Sequence, residues 1–198
     1  MTYSRANLTY KYSPGIIVKQ SDIHVHRHLV EASKAGDRAA QYELYSLYVD
    51  AMFNIAMRML RSREDAEDVV QDGFVDAFHH LDRFRYESTF GSWLKRIVIN
   101  KCINFIQKKK IQTSSLDDHA FHLHVTEEET TSDITPDISI VKEAINQLAS
   151  GYRQIINLYL VEGYDHVEIG QILNISEGTS KSQYHRAKKK LLQILSNA

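Results

Sequence analysis

Apolar residues recur at spacings of three and four from Leu29 onward: Leu29, Val30 and Ala32, then Ala39, Tyr42, Leu44, Tyr45, Tyr48, Met52, Ile55, Ala56 and Met59. A mean spacing of about 3.6 gathers such residues on one side of a helix, whereas a half-buried strand needs strict alternation. The pattern returns in Ala66, Val70, Phe74, Ala77 and Leu81, and again in Ile97, Val98, Ile103, Phe105 and Ile106. Only two prolines and eight glycines occur in 198 residues, too few turn-formers for a many-stranded β fold. The expected fold class is therefore all-α.

The periodicity breaks into two units. Residues 1–25 are polar and aromatic, carry the Pro14-Gly15 break, and read as an N-terminal extension. Residues 26–110 form the first helical domain. Within it Gly36-Asp37 reads as a turn and helix start, and Ser62 as an N-cap followed by Glu64 and Asp65, where the helix dipole favours acids. Residues 83–91 read as a loop, and Ser92 as the cap of a helix running from Trp93 to about Lys109. Residues 111–136 are acidic, hydroxyl-rich and without apolar period, the composition of a flexible linker. A second helical domain covers 137–198. Val141, Ala144, Ile145 and Leu148 form one helix; Tyr152, Ile155, Ile156, Leu158, Tyr159 and Leu160 form the next, closed by Gly163. Asp165 with Glu168 makes a capping box for a short helix bearing Ile169, Ile172 and Leu173. Asn174-Ile175 turns, and Ser176 caps the last helix, whose inward seam is expected to be Thr179, Tyr184, Ala187 and Leu191.

The net charge of −1 hides segregation. Glu64, Asp68, Asp72 and Asp76 make a row at four-residue steps opposite the apolar stripe of the second helix. Such a row is either a solvated face or, because like charges four apart repel, a face kept for a basic partner. The helix after it carries Lys95, Arg96, Lys101, Lys108, Lys109 and Lys110 and no acid. Bases interleaved with Phe84, Tyr86, Phe90 and Trp93 suit single-stranded nucleic acid, which stacks on aromatics while cations track phosphates. Phe90 and Trp93 fit a core role as well. The last helix bears Lys181, Arg186, Lys188, Lys189 and Lys190 against Glu177. Two short helices, a tight turn, a small Gly170 at their crossing and a basic front make a helix-turn-helix. Gly178, Lys181, Ser182, His185 and Arg186 then face the major groove, and residues 188–190 reach backbone phosphates.

Several classes are excluded. One cysteine, Cys102, permits no internal disulfide and fits a reducing compartment. No apolar run nears the roughly 18 residues of a membrane span, and the N-terminus lacks a secretory pattern, so a soluble cytoplasmic protein without membrane insertion is expected. His24, His26 and His28, and His119, His122 and His124, have no cysteine partners, and no metal or other cofactor is expected. The chain has no glycine-rich phosphate loop, nucleophile elbow or zinc-protease motif, so it is not expected to be an enzyme.

The stretches "DAEDVVQDGFVDAFHHLDRF", "STFGSWLKRIVINKCINFIQKKK" and "YRQIINLYLVEGYDHVEIGQILNISEGTSKSQYHRAKKKL" occur in this order. In them the chain resembles the extracytoplasmic-function (ECF) group of sigma-70 family RNA polymerase sigma factors, over about 30–110 and 141–195. The resemblance implies a sigma region 2-like helical bundle and a sigma region 4-like helix-turn-helix domain. It implies core RNA polymerase, promoter DNA and an anti-sigma factor as partners. By position, Asp68, Gln71, Asp72 and Asp76 would bind polymerase. Phe90, Trp93, Lys95, Arg96, Asn100 and Lys101 would hold the melted minus-ten strand, with Asn100 near the pocket for a flipped base. Gly178, Thr179, Lys181, Ser182, Gln183, His185, Arg186 and Lys189 would meet the minus-thirty-five element. Ser180 and Gln183 stand where the family often has a branched apolar residue and an arginine. The implied function is to direct promoter-specific initiation and assist melting, without chemistry. The alternative is a stand-alone helix-turn-helix regulator, but the first half lacks the alternating βα pattern of a receiver domain.

Overall fold

Asp37 opens the first long helix by accepting the amides of Ala39 and Ala40 at 2.8 and 3.3 Å, directly after Gly36 turns the chain at φ +90°. Ser62 opens the next by accepting the Asp65 amide at 3.2 Å. Both are the starts expected from sequence, because an N-cap needs only a short polar side chain within reach of a free amide two or three residues on. The computed structural model describes residues 25–114 and 136–196, with side chains for 25–111 and 138–196. The extension up to residue 24 and residues 115–135, with the linker histidines, lie outside the described residues.

The elements are α1 (Arg27–Lys34), α2 (Arg38–Leu60), α3 (Arg63–His79), a 3-10 turn (Leu81–Arg83), α4 (Phe90–Ser114), α5 (Pro136–Asn146), α6 (Ser150–Ile156), a π turn (Asn157–Val161), α7 (His166–Leu173) and α8 (Glu177–Ser196). No strand occurs among the described residues, and none of their helices is long and apolar enough to cross a membrane. α2, α3 and α4 pack on one another and α1 lies against α2. Leu44, Ala56, Ala66, Phe74, Ala77, Leu94, Val98 and Ile99 fill the space between them at no more than 3 % exposure. Each such leucine, isoleucine or phenylalanine removed from water contributes about 1.5–3 kcal/mol.

Three starts and seams differ from the sequence expectation. α4 begins at Phe90 rather than Trp93, because the Thr89 hydroxyl accepts the Ser92 amide at 3.1 Å and so takes the capping position; α4 then runs on to Ser114. The helix expected through Leu160 instead widens into a π turn closed by the Glu162 amide on the Asn157 carbonyl at 2.9 Å. Asn157 is 2 % exposed, and its amide nitrogen donates to the Arg58 carbonyl at 2.9 Å, a tertiary bond that a sequence pattern does not register. In α8 the inward residue is Ser180, fully buried, and not Thr179, which is exposed. One residue is about 100° of helix, and 180, 184, 187 and 191 is the run that faces the core. The Ser180 hydroxyl lies 3.0 Å from His166 Nδ1, so a polar pair links α7 to α8.

The helix-turn-helix otherwise follows its local signals. Asp165 and Glu168 form the reciprocal capping box at 2.8 and 2.9 Å. Asn174 takes the left-handed conformation at φ 54°, and the Ile175 amide returns to the Gly170 carbonyl at 2.9 Å. Ser176 accepts the Thr179 amide at 3.1 Å. A Cβ at Gly170 would stand 2.8 Å from the Ile175 carbonyl oxygen, so only glycine permits this crossing without a shift.

Candidate polymerase and nucleic-acid interfaces

On α3 the acids divide by direction. Asp65 and Asp76 turn to α4, where Lys109 and Lys101 pair with them at 3.2 and 2.7 Å. Glu64, Asp68 and Asp72 point outward and are exposed, as is Gln71. Beside Gln71 runs a shallow groove lined by Tyr42, Tyr45, Phe74, Val75 and Phe78. Tyr42 is 73 % exposed and Val75 48 %, so apolar surface adjoins the outward acids. Of the four residues expected at polymerase, Asp68, Gln71 and Asp72 therefore share one open face, and Asp76 spends its charge on Lys101.

α4 carries the residues expected on melted DNA. Trp93, Arg96 and Asn100 share a face by their spacing, and Asn100 is exposed. Phe90 is 1 % exposed and packs against Tyr48, Phe84 and Trp93 at ring distances of 5.2, 6.0 and 5.9 Å. Its ring has no open face for a base in this conformation. Trp93 is half-buried in the same aromatic cluster. Lys95 and Arg96 do not face solvent alone. The ring of Tyr164, from the second unit, lies under them with its centroid 5.2 Å from Lys95 Nζ and 5.8 Å from Arg96 Cζ. Sequence reasoning gave Glu162 and Tyr164 no part in this site. Their signal is tertiary only, since nothing local marks an acid and a tyrosine after a helix as partners of residues some 70 positions earlier in the chain.

The front of α8 is open. Gly178, Thr179, Lys181, Ser182, His185, Arg186 and Lys189 are exposed, and Gln183 is half-buried. Lys181 pairs with Glu177 at 2.6 Å, one turn before it, and that hydrogen bond raises the Lys181 pKa. Both partners are well exposed, so the pair holds Lys181 weakly. His166 stacks on Tyr159 at 4.6 Å and bonds Ser180, fixing the root of the helix that carries this front. Among the described residues no group of three or more His, Cys, Asp or Glu is placed to hold a metal.

A helical bundle with an outward acid face, joined to a helix-turn-helix with a basic front, is the architecture of a DNA-directed protein with a second macromolecular partner. Comparison with known proteins carries this further. Residues 44–111 match Sigma-70 region 2, and residues 138–191 match Sigma-70, region 4. The ECF RNA polymerase sigma-E factor of Salmonella typhimurium is 30% identical over 171 residues, covering 81% of this chain and 89% of that one. The ECF RNA polymerase sigma factor SigW of Bacillus subtilis is 29% identical, over 84% of this chain and 94% of that one. Among solved structures, the sigma factor RpoE in complex with the anti-sigma factor NepR from Bartonella quintana shares the fold at a TM-score of 0.59 and 24% identity, covering 78% of this chain and 96% of that one. CnrH in complex with the cytosolic domain of CnrY shares it at 0.53 and 24% identity, over 87% and 97%. The chain belongs to the ECF group of the sigma-70 family of RNA polymerase sigma factors.

Proposed function

We propose that this sigma factor docks on core RNA polymerase through Asp68, Gln71 and Asp72, holds the melted minus-ten strand along Trp93, Lys95, Arg96, Asn100 and Lys101, and meets the minus-thirty-five element with the front of α8. The observation that carries the reading is the separation of these three surfaces. The outward acids of α3, the basic face of α4 and the basic front of α8 lie on different elements, so one chain can contact polymerase and two promoter elements at once. The protein supplies binding rather than chemistry, acts in the cytoplasm with the polymerase, and biases promoter opening by holding single strand more tightly than duplex. The groove of Tyr42, Tyr45 and Val75, whose polar lining is Arg38, Gln41 and Gln71, supports α3 as the docking face, because apolar surface beside the outward acids suits an amphipathic partner. An anti-sigma factor is a further expected partner, by analogy with the solved relatives. A stand-alone regulator is the weaker reading, since the region 2 match and its acid face have no task in it.

Changing Asp68 and Asp72 together to Ala tests the docking face. Both side chains are exposed and outside the described ion pairs with α4, so helical circular dichroism and melting temperature should stay near wild type. Core-polymerase capture in a pull-down, and promoter-specific run-off product, should both fall about tenfold or more, the effect of roughly 1.4 kcal/mol. Undiminished capture by the double variant would remove α3 from the interface.

A further inference from the structure

Tyr86 takes the left-handed backbone conformation at φ 59°, which a bulky side chain adopts only when its surroundings impose it. α1 supplies those surroundings. The Tyr86 hydroxyl donates to the Glu31 carboxylate, and two cations of α1 lie over its ring, Arg27 Cζ at 4.9 Å and Lys34 Nζ at 4.8 Å from the centroid. Lys34 also donates to the Phe84 carbonyl at 3.2 Å. The Tyr86 ring packs on Phe84 at 4.8 Å, and Phe84, itself 4 % exposed, packs on Trp93 at 5.3 Å and on Phe90 at 6.0 Å. A second route from α1 ends on the same first turn of α4. His26, the N-cap of α1, is also left-handed at φ 62°, and its Nδ1 lies 3.0 Å from the Tyr48 hydroxyl. The Tyr48 ring packs on Phe90 at 5.2 Å and leaves so little room at Gly91 that a Cβ there would stand 2.7 Å from it. α1 thus reaches the start of α4 twice, each time through a residue in left-handed backbone.

Burial alone does not call for the Tyr86 clamp. Glu31 is exposed and Tyr86 only half-buried, so the clamp withdraws little apolar surface from water while keeping a disfavoured backbone conformation. What it fixes is geometry. Lys34 holds the Phe84 backbone, Tyr86 holds the Phe84 ring, and Phe84 in turn supports the ring of Trp93. Stacking a base gains most on a ring already set in place, because a ring free to turn gives back part of the gain when it is ordered. We infer that Tyr86 is a positioning residue for the melted minus-ten strand: clamped to α1 by Glu31, Arg27 and Lys34, it sets Phe84 and through it the Trp93 ring, so that α1 governs how firmly the strand is held without contacting it. The inference rests on the reading of Trp93 as a strand contact. It gives α1 a task distinct from those of α3 and α8, and it gives the strain at Tyr86 a use.

Trp93 is the one tryptophan in the chain, so tryptophan fluorescence reports its setting directly. The full chain is measured alone by emission and acrylamide quenching, and with core polymerase by permanganate reactivity of the thymines in the promoter bubble. Tyr86→Gly removes the clamp with a residue that takes left-handed backbone without strain. Its emission should move to longer wavelength and its quenching should rise. Bubble reactivity should fall about fivefold or more, the size of one lost base stack, while capture of core polymerase stays at the wild-type level. Glu31→Ala cuts the tie from an exposed position on α1 and should move emission, quenching and reactivity the same way. In a chain whose Trp93→Leu variant captures polymerase but opens promoters poorly, a Tyr86→Gly variant that leaves either the emission or the opening unchanged would refute the positioning role alone. If Tyr86→Gly loses polymerase capture as well, the same criterion is applied to Glu31→Ala. Normal opening by Trp93→Leu would instead refute the strand reading beneath it.

Discussion

An alanine methyl at Gly170 would meet the Ile175 carbonyl oxygen at 2.8 Å, and that oxygen is backbone, which cannot swing aside as a side-chain tip does. Gly170→Ala should therefore lower stability by about 1–3 kcal/mol, the range for overpacking at a tight contact. Gly151 is the control: a methyl there meets nothing within 4 Å, and its position in α6 gains from the loss of glycine's freedom in the unfolded chain. Thermal melts of the two variants should move in opposite directions, and equal melts would mean that α7 and α8 do not cross as described. Tyr86 gives a second test. Burial and the hydrogen bond it donates to Glu31 push its hydroxyl up to about 12 from an ordinary 10.0, and that bond in turn holds Glu31 below the usual carboxylate range. A raised pKa means the folded state keeps the proton more tightly. The tie thus contributes fully below about pH 10 and is lost as pH rises from about 10 to about 12. Tyr86→Phe should abolish this part of the alkaline loss of stability and remove one late-titrating tyrosine from the ultraviolet titration. Loss of a step near the ordinary 10.0 instead would place Tyr86 in water.

At the scale of the element, α8 carries two kinds of cation. Arg186 lies near the front, which on the proposed reading meets base edges; Lys190 lies a full turn further, where the helix would leave the groove. Arg186→Ala should flatten the minus-thirty-five preference in a randomised-promoter selection, by roughly 1–3 kcal/mol at the base pair it reads. Lys190→Ala should weaken all promoters alike and reduce the salt slope by about one. The opposite pattern would reverse the orientation of α8 in the groove. Element starts also show what is legible locally. Asp37, Ser62, the Asp165–Glu168 box and Ser176 cap where the sequence places them, since each cap is decided within four residues. Thr89 displaced Ser92 because both hydroxyls are in range of a helix start and the aromatic packing of Phe90 decides between them.

For the whole molecule, the shared cluster has a thermodynamic consequence. Ile155, Leu158, Ile169 and Ile172 of the second unit are buried with the core of the first, so neither unit unfolds without exposing apolar surface of the other. The free chain should melt in one transition whose calorimetric and van't Hoff enthalpies agree. Two resolved transitions would show that the units are thermally independent. The sigma reading survives that result, because it rests on the separate surfaces and the family matches.

The all-α class, the two units, the helix-turn-helix and the exposed front of α8 followed from the sequence alone. Each depends on periodicity, capping and charge within a few residues, and local physics decides such features before the chain is compact. Three things required the tertiary structure. Asp76 could not be separated from Asp68 and Asp72 in a row of equal spacing until Lys101 of α4 was seen to take it. Ser180 replaced Thr179 in the seam because His166, fourteen residues earlier, offers its hydroxyl a partner. The covering of Lys95 and Arg96 by Glu162 and Tyr164 joins parts of the chain that share no local pattern. An ion pair between distant residues is set by how packed elements meet, and the burial that makes such a pair matter exists only once they have met.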